Sequence, residues 1–178
     1  MKTYELDIRS NTILDNVFPP LKAKMLSIYY GMYEEFGVKM RPTRGLSTME
    51  EQLKLWQKGR DADGNVVSIH DVVTNAPPGS SYHCYGLAVD SCFWGQDPYL
   101  EYLEKKRPGE ALELWIAYGA YASRASLVWG GNFHKLIDRP HVQMDMSITL
   151  RALQDVYKKE RIEGVYRFAN HVYGVINK

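Results

Sequence analysis

Five histidines occur in the chain, and two of them stand in patterns able to hold a metal. The first pattern is Ser81-Tyr82-His83-Cys84-Tyr85-Gly86-Leu87-Ala88-Val89-Asp90. The second is Asp138-Arg139-Pro140-His141-Val142-Gln143, preceded by Trp129-Gly130-Gly131-Asn132-Phe133. Leu87 to Phe93 reads as a mostly buried strand, in which alternation puts Ala88, Asp90 and Cys92 on one face and Leu87, Val89 and Ser91 on the other. A carboxylate in the middle of such a strand is costly unless it is paired or bound to a metal. Gly86 permits a bend that turns His83 back toward the Asp90 face, and His141 begins a further strand that can stand beside it. Two imidazoles and one carboxylate leave the fourth position of a tetrahedral Zn²⁺ open to water, as in catalytic rather than structural sites.

Other donors fit this chemistry less well. His134, seven residues before His141, is the rival ligand. Cys84 is a soft donor, but an extended backbone points it away from its neighbour His83, so it reads as a small core residue. Cys92 reads as core packing. The Asp61–Asn65 segment (DADGN) begins like a calcium loop, yet Val66 stands at the required glycine and Val72 at the required glutamate; a hairpin turn is expected instead. There is no H-E-x-x-H, G-x-S-x-G, Walker loop or G-x-G-x-x-G. Lys plus Arg is 22 and Asp plus Glu is 21, and no basic stretch is interleaved with aromatics, which excludes nucleic acid as a partner. No apolar run reaches the ~20 residues of a membrane helix. Two cysteines do not make a disulfide framework and are expected to be unpaired thiols. Met1 to Ser10 has no apolar core after Lys2 and is not expected to act as an export signal.

The elements that must position these residues are legible in part. Pro19 and Pro20 suit a first helical turn. Leu21, Met25, Ile28, Met32 and Phe36 then form one helical stripe, closed by Gly37 as a C-cap. The first 18 residues read as irregular. Val38–Thr43 reads as a short strand. Ser47 and Glu50 have capping-box spacing and open a helix that runs to Gly59. Val72–Thr74 reads as a short strand, Glu110–Ser126 as a long helix, and Val142–Met146 as a strand. After Ser147 come two helical patterns, one through Leu150, Leu153 and Tyr157, the other through Val165, Phe168, Ala169, Val172 and Ile176. From Arg151 on, six basic residues stand against three acidic ones, a solvated helix face rather than a polyanion site. Short strands mixed with separate helices indicate an α+β class.

The combination S-x-H-x-x-G-x-A-x-D followed by D-x-P-H resembles the VanY-type D,D-carboxypeptidases and the phage endolysins of the L-alanyl-D-glutamate peptidase kind. Arg44-Gly45-Leu46-Ser47, with Gln52 and Gly59-Arg60, resembles the family's arginine-bearing segment and following helix; relatives often read G-x-R-S, whereas here Arg44 precedes Gly45. Val72-Val73-Thr74-Asn75-Ala76 is similar to the endolysin branch. The resemblance covers roughly residues 15–146. It implies a small antiparallel sheet flanked by helices, hedgehog/DD-peptidase-like, with a catalytic domain over 1–146 and a C-terminal helical extension over 147–178 packed on it.

That resemblance also implies Zn²⁺ held by His83, Asp90 and His141, with Asp138 as general base and Arg44 stabilising the tetrahedral oxyanion. Ser81 either hydrogen-bonds substrate or shapes its turn. Trp129 either lines the cleft or packs in the core, and Gln52 falls on the substrate side. The implied activity is hydrolysis of the L-Ala–D-Glu bond in the bacterial peptidoglycan stem peptide by a monomer held in the host cytoplasm until a holin opens the membrane. Release of terminal D-Ala, as by a D,D-carboxypeptidase, is the second reading. A non-catalytic zinc-binding module, as in hedgehog signalling domains, is the third; Asp138 speaks against it, since a pure binding site needs no base.

Overall fold

The computed structural model describes residues 4–176. The architecture is α+β, as expected. Its sheet has four strands, β1 (Met40–Arg44), β2 (Ala88–Phe93), β3 (Val128–Trp129) and β4 (His141–Gln143), in the order β1-β2-β4-β3, and every pair is antiparallel. The helices are α1 (Ile8–Asp15), α2 (Pro19–Phe36), α3 (Met49–Gln57), α4 (Glu101–Lys106), α5 (Pro108–Arg124) and α6 (Leu150–Ile176). None of the described helices is long and apolar enough to cross a membrane. The chain forms two compact units, one from Met1–Gly45 and Leu87–Asp145, the other from Leu46–Gly86 and Met146–Lys178.

The first unit holds the sheet. β2 is buried at every position except Asp90, which is half-buried. α2 begins with two prolines and ends at Gly37 (φ 67°), whose N–H donates to Tyr33 O. Leu21, Met25, Ile28 and Met32 of its stripe are buried, while Phe36 is exposed at the helix end. α5 contributes Ala111, Trp115, Tyr118 and Ala122, and Trp115 meets Phe93 of β2 edge to face at 4.9 Å. Both Tyr29 of α2 and Tyr118 of α5 reach the hydroxyl of Ser91, at 2.7 and 2.9 Å. Burial raises the pKa of both phenols well above their ordinary range, and Tyr118 donates its hydroxyl to Ser91 Oγ.

Three local expectations are corrected, and one helix appears where none was expected. The N-terminal stretch is not irregular: Asp7 caps α1 by accepting the Ser10 N–H at 2.6 Å. Few apolar residues mark α1, so the cap was its main signal. The capping box forms one residue later than Ser47 and Glu50, between Thr48 and Glu51, because Ser47 is buried and its N–H donates to His83 O. Val72–Thr74 forms no strand; the Arg60 guanidinium takes the Thr74 carbonyl at 3.0 Å instead. Finally α4, which no apolar periodicity announces, starts where the Asp97 carboxylate accepts the N–H groups of Tyr102 and Leu103.

The second unit contains α3, the DADGN turn and α6. The turn is the hairpin expected: Arg60 bridges Val66, and Asp61 accepts from the N–H groups of Asp63 and Asn65. α6 contains the two helical patterns, separated by a kink at Arg161 (φ 56°, ψ −155°).

Gly119 of α5 lies directly beneath the Trp129 indole, and an added Cβ would overlap the ring. Helix propensity alone would make Gly119→Ala stabilising by about 0.5–1 kcal/mol. Overpacking, at about 1–3 kcal/mol, should outweigh that gain and leave a net loss of about 1–2 kcal/mol in urea unfolding; an unchanged or higher midpoint would contradict this packing.

Candidate metal centre

The strand register builds the site. Asp90 of β2 is paired with His141 of β4 on one side and with Arg44 of β1 on the other. The Arg44 pairing requires a bulge. Pro42 pairs with Ser91, so an unbroken ladder would set Thr43 opposite Asp90; the irregularity between Pro42 and Arg44 places Arg44 there instead. Bulges re-aim side chains in this way, and Thr43 remains attached by donating its hydroxyl to Asp90 O at 3.2 Å. Pro42, which lacks an N–H, is tolerated because β1 is an edge strand.

His141 Nδ1 lies 3.0 Å from Asp90 Oδ1, and His141 Nε2 lies 3.0 Å from Gln143 Oε1. Burial pulls the His141 pKa down, but the hydrogen bond and charge of Asp90, helped by Gln143 and the Asp138 charge, outweigh it and raise the value. His83 sits on a 3-10 turn, Tyr82–Tyr85, capped at one end by the Ser81 hydroxyl and at the other by Gly86 (φ 64°). His83, Asp90 and His141 each offer one ligand atom, and the three atoms lie within 4.8 Å of one another. They form the one such group among the described residues. His134 is exposed and outside it, and both cysteines are buried and form no disulfide.

These donors suit zinc. Bonds of ~2.0–2.1 Å set tetrahedral ligands about 3.3 Å apart, near the Asp90–His141 separation of 3.0 Å. An imidazole that presents Nδ1 to a metal carries its proton on Nε2, and that N–H then donates to Gln143 Oε1. Gln143 is thus a supporting residue that the sequence reading quoted without assigning. Its signal was available, in the strand alternation that sets His141 and Gln143 on one face.

Asp138 and His141 occupy the two ends of one β-turn, closed by the His141 N–H donating to Asp138 O at 3.1 Å. Gly130 holds this turn from below: its carbonyl accepts the Asp138 N–H at 3.0 Å, and a Cβ there would press on the Asp138 carbonyl and stand 3.0 Å from His141 Cβ. Gly130 is a second residue that sequence reasoning passed over, although Trp-Gly-Gly-Asn marked a close backbone approach.

The substrate-side expectations are revised for two residues. Trp129 is 8% exposed, with its indole N–H donated to Arg139 O at 2.8 Å, so it packs in the core and ties down the Asp138–His141 turn. Gln52 is fully buried and donates to Ala76 O at 2.7 Å, joining α3 to the following loop. Ser81 accepts the His83 N–H at 3.3 Å, which is the turn-shaping alternative.

Residues 74–144 match a family of M15 peptidases described as D-alanyl-D-alanine carboxypeptidase. The chain is 30% identical over 109 residues to the peptidoglycan L-alanyl-D-glutamate endopeptidase CwlK of Bacillus subtilis (strain 168), an alignment spanning 61% of this chain and 62% of the relative. Among solved structures, the L-Ala D-Glu endopeptidase ChiX of Serratia marcescens aligns with a TM-score of 0.48 and 21% identity, covering 83% of this chain and 92% of that one. A mutant of the vancomycin resistance D,D-pentapeptidase VanY from a VanB-type cassette, in complex with Zn(II), aligns with a TM-score of 0.48 and 17% identity, covering 90% and 83%. The stretch matched by the family, 74–144, holds His83, Asp90, Asp138 and His141, and the chain spans 62% of the length of CwlK.

Removing the Gln143 carbonyl should weaken zinc binding by about 10–100-fold. Gln143→Ala, titrated against a chromophoric chelator, should show this loss with an unchanged metal stoichiometry of the saturated protein.

Proposed function

We propose that this protein is a zinc-dependent peptidoglycan peptidase that hydrolyses the L-Ala–D-Glu bond of the stem peptide. The observation that carries the reading is the joint placement of a His83–Asp90–His141 donor group and, on the turn ending at His141, the Asp138 carboxylate. Zinc held by the three donors would supply Lewis acidity and lower the pKa of a water. Asp138 is the group to accept that proton and return it to the departing amine. It is not part of the donor group, its backbone is fixed by the turn and the Gly130 carbonyl, and its side chain is half-buried. Arg44, brought into register with Asp90 by the bulge, provides positive charge for the oxyanion that develops at the scissile carbonyl. Action on the cell wall after holin-mediated release from the host cytoplasm belongs to the same proposal.

Support for the L-Ala–D-Glu bond comes from the relative named for it, CwlK. The description of the matched family favours a second reading, removal of terminal D-Ala. Mass spectrometry of a digested, defined muropeptide separates them: free D-Ala with an intact L-Ala–D-Glu bond would select the second reading.

Asp138→Asn should reduce hydrolysis of purified walls by about 10²–10⁴-fold while the protein still takes up one zinc. Wall solubilisation at the normal rate by this variant would remove Asp138 from the mechanism.

A further inference from the structure

The helix α6 lies outside the matched stretch 74–144, and the chemistry above gives it no part. Its packing is specific nonetheless: it lies against the 3-10 turn that carries His83. Tyr82 donates its hydroxyl to Ile148 O at 3.0 Å, just before the helix begins. Gln154 donates to Gly79 O at 3.0 Å, and Tyr85 donates to the same carbonyl at 2.8 Å. The rings of Tyr85 and Tyr157 meet edge to face with centroids 6.0 Å apart. Tyr166 sets its hydroxyl end against Gly86, where a Cβ would stand 2.9 Å from Cζ and 3.1 Å from Cε1. The turn is therefore fastened on both sides of His83.

The kink makes this possible. Tyr157 and Tyr166 are nine residues apart, and nine residues of an unbroken α-helix turn through about 180° beyond whole turns. A straight α6 would show the two rings on opposite faces. Arg161 breaks the helix between them with φ 56° and ψ −155°, a conformation essentially reserved for glycine. Its guanidinium lies over the Tyr157 ring at 5.6 Å. The strain is retained at the one place where it lets both tyrosines address the His83 turn. A 3-10 turn of four residues has little rigidity of its own, so the position of His83 depends on what packs against it.

We propose that α6 is a clamp for the metal centre, with Tyr157 and Tyr166 as positioning residues that act through the turn on His83. The proposal rests on the metal-centre reading. Its test is zinc affinity of the full chain, measured by chelator competition, alongside the visible absorption of the Co²⁺-loaded protein and thermal melting. Tyr166→Ala and Tyr157→Ala should each lose about 10-fold or more in affinity and shift the Co²⁺ bands. Tyr166→Phe, which keeps the ring on Gly86, should restore both. Met25→Ala, a core truncation in α2, should lower the melting temperature with affinity and Co²⁺ bands unchanged.

Wild-type affinity in a folded Tyr166→Ala protein would overturn the clamp, as would an equal loss of affinity in Met25→Ala. If Tyr166→Ala fails to fold, Tyr157→Ala decides on the same criterion. A wild-type protein that binds zinc but leaves walls and muropeptides intact would refute the proposed activity and leave the clamp standing. One that binds no zinc would refute both.

Discussion

The structure is arranged around one awkward charge, the Asp90 carboxylate in an otherwise buried central strand. Such a group is destabilising unless it is held by partners. The sheet sets His141 of β4 opposite it, with Nδ1 at 3.0 Å from the carboxylate, and a bulge in β1 brings Arg44 to the facing position. The register is held on the reverse face. There Val89 pairs with Val142, and Ser91 donates its N–H to Pro140 O while its hydroxyl meets Tyr29 and Tyr118. Side chains alternate with a period of two, so a one-residue slip would send Asp90 into that aromatic layer and bring Ser91 to the metal face. The buried hydroxyl cluster and the metal donors thus fix each other through a shared pair of strands.

Close approach of backbone to side chain does the remaining positioning. The Trp129 ring packs against Gly119 and Gly131, and its indole N–H donates to Arg139 O. Gly130 leaves room for the Asp138 carbonyl. Three glycines and one tryptophan therefore set the height and tilt of a turn that ends in a metal donor and begins with a carboxylate of another purpose. This arrangement accounts for the burial of Trp129 better than any role toward substrate. A ring packed against two glycines, with its N–H committed to a main-chain carbonyl and 8% of its surface exposed, belongs to the core.

Much of this was legible in the sequence, and the pattern of success has a physical basis. α2 and the β2 strand announce themselves through apolar periodicity, and Gly37 through its need for a positive φ. The grouping of His83, Asp90 and His141 was legible because histidine and aspartate at that spacing are conspicuous in a buried strand and its neighbours. What escaped was set by hydrogen bonds rather than by hydrophobicity. α1 and α4 each depend on one capping carboxylate, Asp7 and Asp97. The shift of the capping box from Ser47 to Thr48 depends on the distant carbonyl of His83. The bulge that exchanges Thr43 for Arg44 opposite Asp90 leaves no trace in a one-dimensional pattern.

The same reasoning separates the chemistry from the choice of bond. The segment 74–144, which contains every proposed zinc donor and the proposed base, matches a family described by cleavage at D-Ala-D-Ala. The relative CwlK is named for a different bond, L-Ala–D-Glu. Activation of water and transfer of its proton to an amine are common to both reactions, so the proposed donors and the proposed base would serve either. Discrimination has to come from groups that meet the residues flanking the scissile bond, where the two substrates differ in charge and length. A D-Ala-D-Ala terminus ends in a carboxylate one residue past the cut; an L-Ala–D-Glu bond continues into the rest of the stem. Recognition of the first needs a fixed positive charge that closes the site beyond the leaving group, and recognition of the second needs that side left open. The decisive feature for specificity is therefore what bounds the leaving-group side, which the geometry of the His83–Asp90–His141 group leaves free to vary.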